Sequence, residues 1–295
     1  MIEKLQSQYG VQGAVHFAAG LNSLPKAVLT HRTGASAEIY LHGAHVTSWK
    51  DKTGDELFFV SRESWFAPDK PIRGGIPVIF PQFGGGPLPQ HGLARISDWT
   101  PLQTGVGEDG TVSVLLGLTD SPATHALWPY PFALELGMQL QEDRLTVTYR
   151  ARNTGREAFD YFAVLHTYFR VADIKQTALY GLQGITFIDS LREDIREVEA
   201  RPVIRFAEET DRIYVDAPNM LCLRDEASSR TFTIEKRNMP DVVVWNPWIA
   251  KAQRMPDFGD DEYQWMVCVE TGNMAAPRAL PAGAEWYGET TFSVS

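Results

Sequence analysis

The chain has 295 residues, of which 44% are hydrophobic and 22% are charged, and its formal net charge is -10. This composition is typical of a folded globular protein with enough apolar residues for a sizeable core. The acidic excess argues against nucleic acid and anionic membrane surfaces as partners, because both require a basic protein surface. A small anionic ligand remains compatible with the sequence wherever arginines are concentrated.

Two features of the sequence bear on its compartment. Cys222 and Cys268 are far apart and form neither a disulfide framework nor a Cys-x-x-Cys motif. The first residues, MIEKLQSQYG, lack the apolar segment of a signal peptide, and no run of about 18 apolar residues indicates a membrane span. We therefore expect a cytoplasmic protein, and we expect it to be a monomer.

Alternation of apolar and polar residues with period two dominates the chain. Helical periodicity is scarce: residues 190–200 fit either a short helix or a solvated strand, and residues 61–70 could contain one helical turn before Pro68. Since no linker interrupts the pattern, we predict one all-β domain over residues 1–295, a large, mostly antiparallel β-sandwich with few short helices. The predicted strands lie in residues 27–34, 37–49, 111–118, 132–140, 145–152, 160–171, 230–237, 241–248 and 263–271.

The segment RGGIPVIFPQFGGGPLPQHGLAR, residues 73–95, has an arginine at each end and is rich in glycine and proline. It is not a phosphate-binding P-loop, because Pro87 and Pro89 prevent a helix from following the glycines. Composition alone favours a long loop. The apolar stretch IPVIF, however, would anchor this loop in a core, and arginines at its ends are suited to binding phosphate. An ordinary loop and an anion site are both compatible with the segment.

His166 lies in the most apolar surroundings of the seven histidines, within YFAVLHTYF. On a strand, Phe162, Val164, His166 and Tyr168 would face one side, and the alternate residues would face the other. Both sides are apolar, which predicts a central strand between two layers. A histidine there is more often a hydrogen-bonded core residue than a catalyst, and the residues alone leave both interpretations open.

Glu270 follows the apolar residues of QWMVCVE and precedes Thr271, Gly272 and Asn273. These three residues suggest a turn, so we expect Glu270 at a strand end that faces a cleft. Together with His166 it could provide a general acid and a general base. No Ser-His-Asp motif and no metal-ligand spacing is evident, because the neighbouring His42 and His45 would project to opposite faces.

Five motifs then occur in order and together resemble one known family. They resemble the hexose-6-phosphate mutarotase branch of the aldose 1-epimerase superfamily from about Ala27 to the C-terminus, whereas the Asn-His motif typical of plain aldose 1-epimerases is absent. The motifs are KPIRGGIPVIFPQFG, LPQHGLAR, VLHTYFRV, VVVWNPW and CVETGN. The resemblance implies a galactose mutarotase-like β-sandwich and an isomerase that interconverts the α and β anomers of a hexose 6-phosphate, with glucose 6-phosphate as the expected substrate.

The resemblance also implies roles for individual residues. His166 would be the catalytic acid and Glu270 the catalytic base in opening and reclosing the sugar ring, with no metal and no other cofactor. A negative neighbour, either Glu270 or the substrate phosphate, would help His166 to hold its proton. The substrate-binding residues would be Arg73, Gln90, Arg95, Asp211, His91 and Trp245. Two alternatives are a non-catalytic carbohydrate-binding β-sandwich and a mutarotase of an unphosphorylated aldose.

Overall fold

The computed structural model describes residues 1–295 and contains three antiparallel sheets of four, eight and nine strands. The prediction of an all-β architecture with few short helices is confirmed. The four-stranded sheet is formed in sequence order by β1 (Val15–Ala19), β2 (Pro25–Thr30), β3 (Ser36–Tyr40) and β4 (His45–Lys50). No helix is both long and apolar enough to cross a membrane.

The two larger sheets draw their strands from the rest of the chain. The eight-stranded sheet consists of β5 (Val78–Ile79), β10 (Phe159–Leu165), β11 (Tyr168–Arg170), β13 (Thr186–Asp189), β14 (Ile195–Val198), β16 (Thr210–Tyr214), β19 (Asp241–Asn246) and β20 (Met266–Leu280). The nine-stranded sheet consists of β6 (Thr100–Val106), β7 (Val112–Thr119), β8 (Phe132–Leu140), β9 (Arg144–Asn153), β12 (Thr177–Tyr180), β15 (Val203–Arg205), β17 (Met220–Asp225), β18 (Arg230–Arg237) and β21 (Glu285–Val294).

One face of the eight-stranded sheet packs against the nine-stranded sheet and is called the inner face here. Phe169 of β11, for example, contacts Phe232 of β18 and Phe292 of β21, with ring centroids 5.0 and 5.6 Å apart. All three sheets contribute to this core of 57 buried residues. The other face, the outer face, carries a separate cluster of 12 buried residues, which include Val164, Tyr168, Val243, Trp245 and Cys268.

The strand predicted over residues 160–171 is interrupted at His166 and Thr167, between β10 and β11. Both strands nevertheless pair with β20 in one register: Leu165 pairs with Thr271, and Tyr168 pairs with Cys268. Counting inward from these two pairs places His166 opposite Glu270. The alternation predicted for this strand agrees with the structure, since Val164 and Tyr168 lie in the outer-face cluster and Ala163 and Leu165 lie in the main core.

The expected turn after Glu270 is wrong, because β20 continues for ten residues to Leu280. Gly272 lies so close to the backbone of β10 that a Cβ atom there would collide with the Ala163 carbonyl oxygen. The Asn273 amide donates to the Tyr161 carbonyl oxygen and accepts from the Ala163 N–H, at 3.0 and 2.8 Å. The Gly-Asn pair therefore marks a close approach of two strands rather than a turn, and Glu270 lies within a long strand.

The remaining predictions near element ends have mixed outcomes. Residues 195–198 form an exposed strand, which is the second of the two alternatives for that segment, and residues 61–70 contain turns but no helix. The strand predicted to reach residue 248 ends at Asn246, because Pro247 has no N–H and the Asn246 side chain accepts from the Trp248 N–H. The α-helices, none of them predicted, are α1 (Ile2–Tyr9), α2 (Pro122–Leu127) and α3 (Trp248–Ala252).

Candidate active site

The candidate site lies on the outer face, where neighbouring strands place polar side chains in two rows. One row crosses β16, β19, β20 and β11 through the paired residues Asp211, Trp245, Cys268 and Tyr168. The next row contains Val243 and Glu270, which are paired, and His166 beyond them. Directly opposed residues of antiparallel strands point to the same face, so sheet register alone brings these side chains together.

His166 and Glu270 form a close and buried pair. Nδ1 of His166 lies 3.2 Å from Oε1 of Glu270, and the two side chains are 9% and 2% exposed. Nδ1 of His166 and Oε2 of Glu270 have no hydrogen-bond partner in the protein. An unpartnered buried polar atom destabilises a fold by about 1–3 kcal/mol, so these atoms are available for a ligand at a cost in stability.

Burial favours the neutral form of both members of the pair. It raises the pKa of Glu270 well above its usual range, and the charge of Asp211 raises this pKa further. Burial also lowers the pKa of His166 well below its usual range, with further lowering by His91, Arg73 and Arg95. One proton on the pair leaves one acid and one base whichever atom carries it, which is what acid–base chemistry on a single substrate needs.

Arg73 reaches the outer face from a point where its own backbone packs closely against neighbouring backbone segments. Gly74 and Gly75 follow it with φ values of 111° and 60°, and a Cβ atom at either position would collide with the backbone of Phe59 or Val46. The guanidinium then makes two hydrogen bonds to the Asp257 carboxylate, at 3.1 and 3.2 Å, and one to the Tyr168 hydroxyl at 3.1 Å. Burial would lower the pKa of Arg73, but Tyr168 and Asp257 raise it above its usual value.

Arg95, at the other end of the segment, is buried without a carboxylate partner. Its guanidinium donates to the Gln90 carbonyl oxygen at 2.7 Å, and its Nε atom has no partner. Burial lowers the pKa of Arg95 to about 10, and the charge of Arg73 contributes to this effect. A buried cation without a counterion is unfavourable unless an anion binds there. Of the two arginines, Arg95 is therefore the one with unused capacity for a phosphate.

His91 and Gln90 lie in the same segment but differ in their surroundings. The His91 ring is 5.5 Å from the His166 ring, and its Nδ1 accepts from the Gly84 N–H. Burial and the two arginines lower the pKa of His91 to about 3, so it is neutral near pH 7. The Gln90 side chain is exposed, and only its backbone carbonyl contacts Arg95. The segment between the arginines is not a free loop, since its β5 strand pairs with β10 beside His166.

Asp211 and Trp245 form the opposite side of the site. Burial raises the pKa of Asp211 to about 6, although Lys251, with its Nζ atom 3.8 Å away, opposes this shift. The same Nζ atom lies 5.9 Å from the centre of the Trp245 ring, and that ring meets the His166 ring edge to face at 6.2 Å. Asp211 and Trp245 thus place a carboxylate beside an amphipathic aromatic surface.

Sequence reasoning missed four residues of this site: Tyr168, Cys268, Lys251 and Asp257. Tyr168 and Cys268 could have been found, because each lies two residues from a member of the pair on a strand and so faces the same side. Asp257 and Lys251 follow β19 in a helix and loop with no periodic pattern. No sequence signal identifies their partners, which come from distant parts of the chain.

Comparison with known proteins gives consistent relatives. A candidate glucose-6-phosphate 1-epimerase of Cenchrus ciliaris is 40% identical over 284 residues, covering 92% of this chain and 85% of that protein. A candidate enzyme of the same name from Escherichia coli K12 is 34% identical over 254 residues, covering 85% and 84%. The crystal structure of a candidate mutarotase from Salmonella typhimurium superposes with a TM-score of 0.89 at 28% identity, covering 100% of this chain and 99% of that one.

The family model described as aldose 1-epimerase matches residues 25–293. This match covers nearly the whole sandwich, including every strand that contributes a residue to the outer-face site. The chain belongs to the aldose 1-epimerase family.

Proposed function

We propose that this protein interconverts the α and β anomers of a hexose 6-phosphate, with glucose 6-phosphate as its preferred substrate. One observation carries the proposal: a buried histidine–glutamate pair lies in the electrostatic field of Arg95, which is itself buried without a carboxylate. The pair suits the proton transfers of ring opening, and Arg95 suits a sugar with an anionic group. Relatives named for glucose-6-phosphate 1-epimerase support the same substrate.

In the proposed mechanism, Glu270 removes the proton of the C1 hydroxyl while His166 protonates the ring oxygen. The ring opens, the C1–C2 bond rotates, and the reverse transfers close the ring on the other face. Each acid or base of this kind typically accelerates a reaction by about 10²–10⁴-fold. Because the spontaneous reaction is already fairly easy, positioning and proton transfer are sufficient, and the proposal includes no metal and no other cofactor.

The substrate phosphate has a second role in this proposal. Without substrate, Arg73 and Arg95 contribute to the low pKa of His166. A phosphate dianion bound to Arg95 offsets that positive charge, which favours the imidazolium form of His166 and so prepares the acid. Asp211, Trp245, His91 and Gln90 are proposed to contact the sugar. We further propose that the whole chain acts as one domain, as a monomer in the cytoplasm.

Anomer exchange on freshly dissolved sugars tests the proposal. The protein should accelerate exchange of α-glucose 6-phosphate far more than exchange of free α-glucose, as followed by polarimetry or by a β-specific dehydrogenase. Arg95→Met should raise KM for glucose 6-phosphate by about 10- to 100-fold, since a hydrogen bond to a charged group contributes about 1.5–3 kcal/mol. The folded state should tolerate this change, because it removes a buried charge that has no counterion.

Three results would contradict parts of the proposal. Equal effects of Arg95→Met on both sugars would remove the phosphate role. Faster exchange of free glucose than of glucose 6-phosphate would favour a mutarotase of unphosphorylated aldoses. Sugar binding without faster anomer exchange would indicate a carbohydrate-binding protein that is not an enzyme.

A further inference from the structure

Cys268 is a buried polar group that the proposed mechanism does not use. It lies two residues before Glu270 on β20, so both side chains project from the outer face. The Cys268 sulfur, a ring nitrogen of His166 and a carboxylate oxygen of Glu270 all lie within 4.8 Å of one another. All three residues are buried, and Cys268 is paired in register with Tyr168 on one side and Trp245 on the other.

A thiolate, an imidazole and a carboxylate together are a ligand set for a borderline-soft divalent cation. Zn²⁺ binds sulfur, nitrogen and oxygen at about 2.0–2.3 Å in a tetrahedron, which places its ligand atoms roughly 3.3–3.8 Å apart. The three atoms, which lie within 4.8 Å of one another, would need to approach by up to about 1.5 Å to reach that geometry. Hard cations such as Mg²⁺ prefer six oxygen ligands, which this group does not provide.

Two unpartnered atoms point independently to a ligand at this place. Nδ1 of His166 and Oε2 of Glu270 are both buried and make no hydrogen bond, although their side chains are only 9% and 2% exposed. A bound cation would give both groups the partner that they lack. The fourth position of a tetrahedron would be left for water or a sugar hydroxyl.

The ligands themselves can balance the charge of a divalent cation at this cluster. A divalent cation with the thiolate of Cys268 and the carboxylate of Glu270 forms a neutral unit, which can be buried at lower cost than an isolated charge. The metal displaces the thiol proton when it binds. Arg73 and Arg95 both oppose a cation at His166; the ion pair with Asp257 offsets the charge of Arg73, whereas Arg95 has no carboxylate partner.

We propose that His166, Cys268 and Glu270 form a binding site for Zn²⁺ or a similarly thiophilic divalent cation, which inhibits the enzyme reversibly. The bound cation occupies lone pairs on both members of the candidate catalytic pair, so neither can exchange a proton with the sugar. Cys268 supplies metal affinity and has no part in the proton transfers of the proposed mechanism. The site is thus an inhibitory one, distinct from a cofactor site.

The test uses metal-free protein and two cysteine variants. Zn²⁺ should bind with one-to-one stoichiometry in calorimetry and should reduce anomer exchange to the spontaneous rate, with full recovery on adding a chelator. Mg²⁺ should do neither. Measured against its own rate without metal, Cys268→Ala should need more than about 10-fold higher Zn²⁺ for half-inhibition, because loss of an outer-shell partner alone typically weakens metal binding by about 10- to 100-fold and loss of a direct ligand weakens it more.

Cys222→Ala is the matched control, since Cys222 is the other cysteine and lies on β17 in the opposite sheet. It should respond to Zn²⁺ like the unmodified protein. Equal inhibition of the protein with and without Cys268, loss of inhibition in Cys222→Ala, or absence of Zn²⁺ binding in calorimetry would each overturn the proposal. Cys268→Ser replaces the alanine variant if thermal melting shows that the latter is unfolded.

Direct binding separates this inference from the proposed function. Calorimetry with Zn²⁺ alone, on the unmodified protein and on Cys268→Ala, requires no substrate. If the protein lacked anomerase activity, the difference in Zn²⁺ affinity between these two proteins would still be expected. If the activity were present and the affinity difference absent, only the metal site would be wrong.

Discussion

The two faces of the eight-stranded sheet are built from the same strands and have opposite properties. The inner face contributes its apolar side chains to a continuous core of 57 buried hydrophobic residues, and its buried polar side chains, such as Thr271 and Asn273, have hydrogen-bond partners within the protein. The outer face has an apolar cluster of only 12 buried residues, and beside it lie His166 and Glu270, each with a buried polar atom that has no hydrogen-bond partner. Because side chains alternate between the two faces of a strand, the same strand can serve two purposes. Its inner-face side chains stabilise the fold, while its outer-face side chains can form a functional site.

The sharpest test of this division is Glu270→Gln. Activity should fall by about 10²–10⁴-fold, the usual contribution of a general base, while stability stays the same or rises because a buried ionisable group is removed. Anomer exchange and urea unfolding of the same preparation measure both quantities. His166→Asn serves as the companion variant. Near-normal activity of both variants would contradict the proposal that His166 and Glu270, on the outer face, are the catalytic residues.

Arg73 and Asp257 are an exception on the outer face, where we expect a polar pair to matter for stability. Arg73→Met leaves the Asp257 carboxylate buried without its partner, so the free energy of unfolding should fall by about 3–5 kcal/mol. The double variant Arg73→Met, Asp257→Leu should regain most of this loss, as measured by urea unfolding. A stable single variant would mean that water replaces the guanidinium and that the pair is not structural.

Leu165→Ala tests the inner face one residue away from His166. Leu165 is fully buried in the main core, so its truncation should lower the free energy of unfolding by about 2–5 kcal/mol. Activity per folded molecule should change far less than in Glu270→Gln. Urea unfolding and anomer exchange below the unfolding transition provide the measurement. A loss of activity as large as that of Glu270→Gln would show that the faces are not independent.

The smallest expected effect concerns pH. In the proposed mechanism, activity requires one proton on the His166–Glu270 pair, so kcat/KM should fall at high pH when the pair loses it, and at low pH when the pair gains a second. Asp211 raises the pKa of Glu270. Asp211→Asn removes this charge and so lowers the pKa of Glu270. The fall of kcat/KM at high pH should therefore begin at a lower pH in this variant, even if its maximum kcat/KM also changes. An alkaline limb that stayed in place would exclude this coupling.

The fold was predictable where alternation extends over many residues. Residues 132–140 alternate cleanly and form β8 with those bounds, and the alternation through residues 162–168 identified the face that carries His166. Helix α1 has no fully buried residue, and only Leu5 and Tyr9 pack partly against the core, so its apolar pattern is too short to identify a helix. Gly272 and Asn273 misled the prediction because turns and close strand contacts use the same residue types.

Sequence reasoning proposed many members of the candidate site but not their arrangement. The resemblance to a family proposed His166, Glu270 and the two arginines as site residues, and the structure places His166 and Glu270 next to each other. The resemblance did not reveal that Arg73 forms an ion pair with a carboxylate whereas Arg95 does not. Asp257 lies 184 positions away from Arg73, and no sequence motif or periodicity links the two residues. Contacts between distant loops depend on the assembled sandwich and leave no local signal.

Asn273 holds the strand register that places Glu270 on the outer face, which limits the sequence changes that this part of the chain can accept. It bonds to Tyr161 and Ala163, on both sides of the point where the pairing of β10 with β20 shifts. A slip of one residue there would exchange Glu270 with Val269, which would bury the carboxylate in the apolar core and place a valine on the outer face beside His166. The side-chain amide of Asn273 thus holds the two strands in register, and insertions or deletions near it should be far less tolerated than substitutions.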